Sequence, residues 1–206
     1  MVKQAQRKMN EHSPSRESNK FSCDSKTLCI VGLGGVGSWL AAFLSPVKSE
    51  FSDIYVVDGD TVEDKNLLYA NFEAKDVKKN KAKAIAKRYG FKPITRFIES
   101  PQDLKEFSMD TLYAICVDDI TTRALIYRSA INWLDCRAEG KRYQVFTPLS
   151  KTVEQFMSAK EPWKRGSCQR DPYKRIDFGH VQAAAVAAQL ILDYVRGELK
   201  VDERFG

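Results

Sequence analysis

The stretch that decides the fold is Val31-Gly32-Leu33-Gly34-Gly35-Val36-Gly37-Ser38. It follows a short apolar segment, Thr27 to Val31, and it opens a helix-like one. Gly32, Gly34 and Gly37 match the G-x-G-x-x-G spacing of a nucleotide-binding strand–turn–helix unit. These glycines permit a tight turn, close approach of the backbone to phosphate and close packing of the helix on the strand. The helix start offers free N–H groups to an anion, so the stretch predicts a nucleotide site.

A carboxylate at the end of the next apolar run supports this prediction. The run Ile54 to Val57 ends in Asp58, about 20 residues past the last glycine, which is the spacing of an acid that binds a ribose hydroxyl. The alternative is a glycine-rich turn without a ligand. The strand, the helix and the acid together favour the nucleotide site.

The rest of the chain alternates between strand-like and helix-like segments. Strands are predicted at residues 27–32, 53–58, 93–100, 112–117 and 142–149, and a short turn or helix at 101–107. Helices are predicted at residues 36–45, at 76–89 with Asp76 as the cap, at 121–133 with Thr121 as the cap, and at 183–195. This alternation predicts a Rossmann-like α/β three-layer sandwich with a mostly parallel sheet. Ligands bind at the carboxyl ends of such strands, where we expect the glycine turn, Asp58 and Asp118 to meet.

Composition predicts one domain with appendages. The 206 residues, 43% of them hydrophobic, suffice for one substantial core. Residues 1–25 are polar and are predicted to be a flexible arm, residues 26–199 the domain, residues 158–178 a mobile crossover loop within it, and residues 200–206 a C-terminal tail.

Charge and cysteine content narrow the function classes. No apolar run approaches the roughly 20 residues that a membrane span needs, and the polar first 25 residues do not resemble a secretory signal. Five cysteines without a C-x-x-C pair favour a reducing, cytoplasmic setting and offer no zinc-ligand spacing. The net charge of +6 fits a nucleic acid or an acidic protein partner, but solubility together with phosphate binding explains it better.

Three further segments complete a pattern with the glycine run. They are Val57-Asp58-Gly59-Asp60-Thr61-Val62-Glu63-Asp64-Lys65-Asn66-Leu67, then Asp76-Val77-Lys78-Lys79-Asn80-Lys81-Ala82-Lys83, then Cys116-Val117-Asp118-Asp119 followed by Arg123. Over about residues 26–135 the chain resembles the family of ubiquitin-activating enzymes and their bacterial relatives ThiF, MoeB and HesA. Its small size indicates a minimal bacterial or phage-type member.

The resemblance implies an ATP- and magnesium-dependent adenylyltransferase. Its substrate would be the C-terminal glycine of a ubiquitin-like or sulfur-carrier protein, some relatives then form a thioester on a cysteine, and a homodimer is expected. The implied nucleotide contacts are Gly32, Gly34, Gly35, Gly37 and Asp60, with Asp58 on the ribose, Asn66 positioning the phosphates, Lys81 neutralising their charge and Asp118 binding Mg²⁺. Each role agrees with simple chemistry, because carboxylates suit ribose hydroxyls and Mg²⁺, and a lysine offsets charge as pyrophosphate leaves.

The chain departs from the family pattern at one position that matters. The family usually has Arg-Gln two and three residues past the Asn-Leu pair. This chain has Tyr69 and Ala70 at those positions, so a phosphate-binding arginine is missing. Lys65, Lys83 or an arginine of the N-terminal arm, Arg7 or Arg16, are candidate substitutes. The change favours an alternative in which the chain is a non-catalytic partner subunit.

Two other functions stay open on the sequence. An NAD-dependent oxidoreductase would explain Gly32 to Asp58 but leaves Asn66, Lys81 and Asp118 without a role, and a relative that adenylates a tRNA base would fit the basic charge.

The candidate nucleophile for a thioester is Cys168. It lies in the charged loop Lys164 to Arg170, downstream of Asp118, and neighbouring positive charge lowers the pKa of a thiol. An incidental loop cysteine is the alternative. Cys29 and Cys116 are expected inside buried strands as small hydrophobic residues, and Cys136 is expected to be half-buried after a helix.

Overall fold

The structure is a computed structural model that describes residues 27–148, 150, 176–200 and 203–206. Among these residues no helix has both the length and the apolar character that a membrane crossing demands. The predicted N-terminal arm and most of the predicted crossover loop lie outside the described residues.

In the part of the chain that the structure describes, seven strands form one sheet in the order β3-β2-β1-β4-β5-β6-β7. They are β1 (Thr27–Val31), β2 (Asp53–Val57), β3 (Lys92–Ile94), β4 (Leu112–Ile115), β5 (Asn132–Glu139), β6 (Arg142–Phe146) and β7 (Glu203–Phe205). The first five strands are parallel, and β6 and β7 are each antiparallel to the strand before them in the sheet. The strand order reverses between β1 and β4, which leaves a crevice beyond their carboxyl ends. The predicted Rossmann-like, mostly parallel fold is confirmed.

Within the described residues, four α-helices cover the sheet: α1 (Gly35–Leu44), α2 (Lys81–Tyr89), α3 (Ile120–Ser129) and α4 (Gly179–Val195). Short 3₁₀ segments lie at Ser45–Glu50, Asp64–Leu68, Ala74–Asp76 and Pro101–Leu104. The predicted first helix agrees with α1 to within one residue at each end, and α4 begins four residues before its predicted start, at Gly179.

The two faces of the sheet build two apolar clusters. Successive side chains of a strand point to opposite faces, so Leu28 and Ile30 pack with α1, α2 and α4, whereas Cys29 and Val31 pack with Ile126 of α3. Helices on both faces explain why these central strands are apolar throughout rather than alternating.

The prediction that Asp76 caps α2 is wrong. Asn80 is the cap, because its side-chain oxygen accepts a hydrogen bond from the backbone N–H of Lys83 at 3.1 Å. Asp76 instead ends a separate 3₁₀ turn, where its buried carboxylate pairs with Arg88 of α2. The predicted end at residue 89 is correct, and Gly90 follows it in the left-handed conformation at a φ of 75°.

The predictions for residues 121–133 also need correction. The cap of α3 is Asp119 rather than Thr121, because the Asp119 carboxylate accepts from the backbone N–H of Thr122 at 2.8 Å. The helix ends at Ser129, and Trp133 lies in β5, a strand that the sequence did not reveal. Its residues 132–136 are buried, so they lack the polar alternation that marks a strand with one solvent face.

Two predicted strands are shorter than expected. The third ends at Ile94 instead of Ser100, since the carboxylate of Asp103 accepts the backbone N–H groups of Glu99 and Ser100 and draws that segment away from the sheet. The last predicted strand ends at Phe146 and returns antiparallel to β5 as a hairpin.

Candidate functional site

The glycine turn after β1 is shaped by contacts that exclude a side chain. Gly32 has a φ of +88°, and a Cβ there would lie 2.9 Å from the backbone nitrogen of Val117. A Cβ on Gly37 would lie 1.9 Å from the carbonyl oxygen of Gly32. A Cβ on Gly34 would meet nothing within 4 Å, so the turn leaves open space beside the start of α1.

Asp58 fastens this turn to the end of β2. One carboxylate oxygen accepts the backbone N–H of Leu33 at 2.7 Å, and the other accepts that of Asp60 at 2.8 Å. The residue is buried, and burial raises the pKa of Asp58 although Lys81 and the two backbone donors oppose the change. A carboxylate held by main-chain donors is positioned before any ligand arrives.

Lys81 is fixed against the same loop. Its ammonium donates to the Asp60 carboxylate at 2.9 Å, and its backbone N–H donates to the Asp60 carbonyl at 2.9 Å. The neighbouring Asn80 amide donates to the carbonyls of Asp58 and Asp60. Burial alone would lower the pKa of Lys81, but the nearby carboxylates of Asp58 and Asp60 outweigh it and raise that pKa. Lys81 therefore stays charged.

A cavity of about 220 Å³, here called the smaller cavity, lies over the carboxyl ends of β1, β2 and β4. Six of the residues predicted from the sequence line it: Gly32, Gly34, Asp58, Asp60, Lys81 and Asp118. The fold thus brings the glycine turn, the acid after β2, the lysine of α2 and the acid after β4 to one place.

Asp118 is the lining carboxylate that suits a metal ion. It is exposed and makes no hydrogen bond or ion pair to another residue that the structure describes, whereas Asp119 is occupied as the cap of α3. No group of three or more His, Cys, Asp or Glu side chains within the described ranges is arranged to hold a metal. A single carboxylate still fits Mg²⁺, which is commonly held by one or two carboxylates together with substrate phosphates.

Three predicted site residues that the structure describes, Gly35, Gly37 and Asn66, do not line the smaller cavity. Gly35 and Gly37 lie within α1, where Gly37 serves close packing. The side chain of Asn66 accepts the backbone N–H of Glu63 at 2.8 Å and donates to the Tyr69 hydroxyl at 3.0 Å, so it supports Tyr69. Cys168 lies outside the described residues.

The lining also includes residues that the sequence did not reveal, among them Arg96 and Phe97. The exposed Phe97 ring packs over Gly59, where a Cβ would lie 2.7 Å from it. They were missed because residues 93–100 were predicted as strand, whereas the segment after Ile94 is a loop that turns toward the cavity. The signal in the sequence that could have revealed this contact was Gly59, directly after Asp58, because a residue without a side chain leaves room for a ring to pack there.

Tyr69, which stands where the family has arginine, is held firmly at the edge of this cavity. Its carbonyl accepts the indole N–H of Trp39 at 2.9 Å and Nε2–H of His180 at 2.8 Å. Burial lowers the pKa of His180, although its backbone contacts oppose that change. Because Tyr69 carries no positive charge, the described lining of the smaller cavity has two cationic side chains, those of Lys81 and Arg96.

A larger cavity, of about 610 Å³, adjoins the first. The two share Cys116, Val117 and Asp118, and the larger one extends over β5, β6 and the end of β7. Its other lining residues include Arg123, Arg137, Arg142, Tyr143 and Phe205.

A buried charge cluster supports the wall between the cavities. Arg123 of α3 pairs with the fully buried Asp135 of β5 and donates to the Val117 carbonyl. Arg137 pairs with Asp135 at 2.6 Å, and Tyr127 donates to the same carboxylate. Burial and the nearby Arg137 guanidinium lower the pKa of Arg123 to about 10. Arg123 thus fixes the backbone that precedes Asp118.

Two cysteines beside this wall differ from their predicted settings. Cys116 follows β4 and is partly exposed at the junction of the cavities. Cys136 is buried within β5 rather than half-buried after a helix.

The fold is an α/β fold of the Rossmann-like class, and the smaller cavity lies at the topological switch point of its sheet, where such folds bind their ligands. The sequence profile of the ThiF family matches residues 15–170, and the chain belongs to that family. No curated protein sequence matches the chain.

Solved structures share this fold at low sequence identity. Escherichia coli MccB, solved with ATP, is 17% identical at a TM-score of 0.61, over 89% of this chain and 59% of MccB. E. coli tRNA N6-threonylcarbamoyladenosine dehydratase, TcdA, solved with AMP, is 19% identical at a TM-score of 0.60, over 87% of this chain and 89% of TcdA. PaaA is 18% identical at a TM-score of 0.59, over 90% of this chain and 64% of PaaA. The chain thus spans about three-fifths of the length of MccB.

Proposed function

We propose that this protein uses ATP and Mg²⁺ to adenylate the C-terminal glycine of a ubiquitin-like or sulfur-carrier protein. The observation that carries the proposal is the smaller cavity, where a glycine turn, a buried acid, a charged lysine and a free carboxylate face one space. Membership of the ThiF family supports an adenylyltransferase-type enzyme. ATP in the MccB structure and AMP in the TcdA structure support adenine nucleotides as ligands for this fold.

The residues of the cavity divide the work of binding ATP. Asp58 keeps one lone pair on each oxygen beyond its two backbone bonds, and these accept the ribose hydroxyls. The open side of Gly34 lets the phosphates approach the backbone and the start of α1, where N–H groups favour an anion. The Lys81 ammonium donates one N–H to the Asp60 carboxylate, and its other N–H groups donate to the phosphates of bound ATP. This arrangement favours departure of pyrophosphate, because the developing charge meets a fixed cation.

Asp118 would hold the metal ion. A bound Mg²⁺ supplies charge neutralisation and alignment of the phosphates. Arg123 contributes by fixing the Val117 carbonyl and hence the backbone on which Asp118 sits.

The larger cavity is the proposed entry for the polypeptide end. It shares Asp118 with the smaller cavity, so a polypeptide carboxylate bound there would lie beside the proposed nucleotide. The structure of MccB with both AMPCPP and MccA supports a second molecule bound beside the nucleotide in this fold. A homodimer and a cytoplasmic location are part of the proposal, and sedimentation and cell fractionation test them.

A non-catalytic partner subunit is the second candidate, favoured by Tyr69. A phenol takes the place of a cation at the edge of the smaller cavity and adds no charge against the polyphosphate. A chain of this kind binds a nucleotide without activating a carboxylate.

The test is ATP–pyrophosphate exchange with a panel of small proteins that end in Gly-Gly. Exchange that depends on one of these partners, and that Asp118→Ala abolishes, supports the proposal. Asp110→Ala is the matched control, because this exposed carboxylate lies before β4 and away from both cavities. ATP binding without exchange for any partner overturns the enzyme in favour of the partner subunit. Exchange stimulated by tRNA alone would indicate that the enzyme adenylates a tRNA base instead of a protein. NADH binding without ATP binding would indicate an NAD-dependent oxidoreductase.

A further inference from the structure

Cys116 and Cys136 lie side by side on adjacent strands. β4 and β5 are parallel, and their last registered pair is Ile115 with Asp135. The residue that follows each of these two along the sequence is a cysteine, Cys116 or Cys136. The backbone N–H of Cys116 still donates to the Val31 carbonyl at 2.8 Å, which holds this residue in line with the sheet. Both cysteines pack against the same apolar cluster, on the face covered by α1 and α4.

The register places the two thiols next to each other. The neighbouring Cys116 side chain, together with burial, raises the pKa of Cys136. Neighbouring strands lie about 4.7–4.9 Å apart, within the Cα separation of about 4.4–6.8 Å that a disulfide spans. The expected Cα separation of the two cysteines therefore falls within the range of a disulfide.

Access differs between the cysteines. Cys116 is partly exposed and lines both cavities, so a small oxidant reaches it from solvent. Cys136 is 1% exposed and Cys29 is fully buried. Cys116 is thus positioned to react first, and Cys136 is the thiol beside it.

We propose that Cys116 and Cys136 form a redox-modification site at which a hydroperoxide converts the two thiols into a disulfide. In the first step the Cys116 sulfur attacks the peroxide, the O–O bond breaks, and hydrogen peroxide leaves one water as Cys116 becomes a sulfenic acid. In the second step the Cys136 sulfur attacks the sulfenic sulfur, the S–O bond breaks, and the hydroxyl departs with the Cys136 proton as a second water. Two thiols are oxidised and one peroxide is reduced, and a thiol reductant restores the pair.

The location gives the modification a consequence. The bridge would tie the end of β4 to β5 two residues before Asp118, at the boundary of both cavities. A reversible bridge of this kind is compatible with a reducing compartment, where disulfides are usually transient.

The experiment is peroxide treatment of the full-length reduced chain, followed by alkylation and tryptic mass spectrometry. Trypsin places Cys116 in residues 106–123 and Cys136 in residues 129–137, apart from each other and from the peptides that contain Cys23, Cys29 and Cys168. We expect a linked pair of these two peptides as the main disulfide product. It should disappear when the oxidised protein is treated with a phosphine reductant before digestion.

Matched variants decide the assignment. Cys116→Ser and Cys136→Ser should each abolish the linked pair, whereas Cys29→Ser should leave it unchanged. Oxidation in urea is the control for geometry, since an unfolded chain pairs its cysteines without this preference. The proposal is overturned if Cys116 links mainly to Cys23 or Cys168, or if it proceeds to sulfinic acid without a link to Cys136. The mass spectra require no enzymatic activity, so failure here is separate from failure of the proposed adenylation.

Discussion

The β1–β2 end and the β5 end of the site hold their buried acids in different ways. Near β1 and β2, the Asp58 carboxylate is bonded by the backbone N–H groups of Leu33 and Asp60. Near β5, the Asp135 carboxylate is bonded by the side chains of Arg123 and Arg137. Backbone donors come with the fold, whereas side-chain donors depend on particular residues far apart in sequence. The backbone donors leave the Asp58 carboxylate fixed but still able to bind a ligand. The Asp135 carboxylate is fully occupied by its ion pairs, which stabilise the wall of the site.

Asp135→Asn should have the largest effect on stability. It removes the charge that pairs with the buried Arg123 guanidinium and with Arg137, and breaking a buried pair on one side costs about 3–5 kcal/mol. Urea denaturation followed by circular dichroism measures the loss. Asp110→Asn, an exposed carboxylate, should change the free energy of unfolding by less than about 0.5 kcal/mol. Equal losses in the two variants would show that the ion pairs of Asp135 do not stabilise the wall of the site.

The glycine turn offers a pair of variants that separates packing from binding. Gly37→Ala should destabilise the fold by about 1–3 kcal/mol, because its Cβ meets the Gly32 carbonyl and overpacking forces the backbone to move. Gly34→Ala should leave the free energy of unfolding within about 0.5 kcal/mol, since its Cβ enters open space.

Binding should rank these two variants differently from stability. If ATP phosphates approach the open side of Gly34, the Ala variant loses ATP affinity while it remains folded. Isothermal titration calorimetry measures the affinity and thermal unfolding confirms the fold. Unchanged ATP affinity in Gly34→Ala would place the nucleotide elsewhere.

A variant of Lys81 tests whether its positive charge binds ATP at the β1–β2 end of the site. Lys81→Met should weaken ATP binding about tenfold to hundredfold, because a hydrogen bond to a charged group contributes about 1.5–3 kcal/mol. Lys87→Met changes an exposed lysine of the same helix and should leave the affinity unchanged. The comparison of the two dissociation constants removes the general effect of net charge. A similar small loss in both variants would show that Lys81 does not contact the phosphates.

The sequence predicted the β1–β2 end well because its signals are local. Gly32, Gly34 and Asp58 act through turns and spacing within one strand–helix–strand unit, and periodicity identifies such units. The lining of the smaller cavity by Asp118 followed from the rule for parallel sheets, whereas Lys81 was implied by the family resemblance.

The β5 end could not be predicted in the same way. Asp135 interrupts an apolar run, and its partners Arg123 and Tyr127 lie on a helix, so its burial is decided by tertiary contacts. Propensity carries no information on such pairs. Loop residues such as Phe97 were missed for a related reason, since a hydrogen-bonded turn at Asp103 redirects the chain away from the sheet.

The smallest expected effect concerns His180, which joins α4 to the Tyr69 carbonyl at the edge of the smaller cavity. Burial lowers its pKa below the ordinary value of 6.5, so the unfolded chain binds a proton in a range where the folded protein does not. Stability from this residue is therefore complete above pH 6.5 and falls as the pH drops toward the folded-state pKa. One proton gives a slope of at most about 1.4 kcal/mol per pH unit.

Urea denaturation between pH 7 and pH 5 measures that slope. His180→Asn should reduce the slope, although the variant starts from a lower stability because the bond to Tyr69 is lost. The chain has one other histidine, and His12→Asn provides the matched control. If the slope is lost in His12→Asn and kept in His180→Asn, the pH dependence arises outside this junction. Loss of the slope in His180→Asn instead shows that the Tyr69 edge of the cavity is held by a side chain that senses pH, unlike the acid at the glycine turn, which is held by backbone.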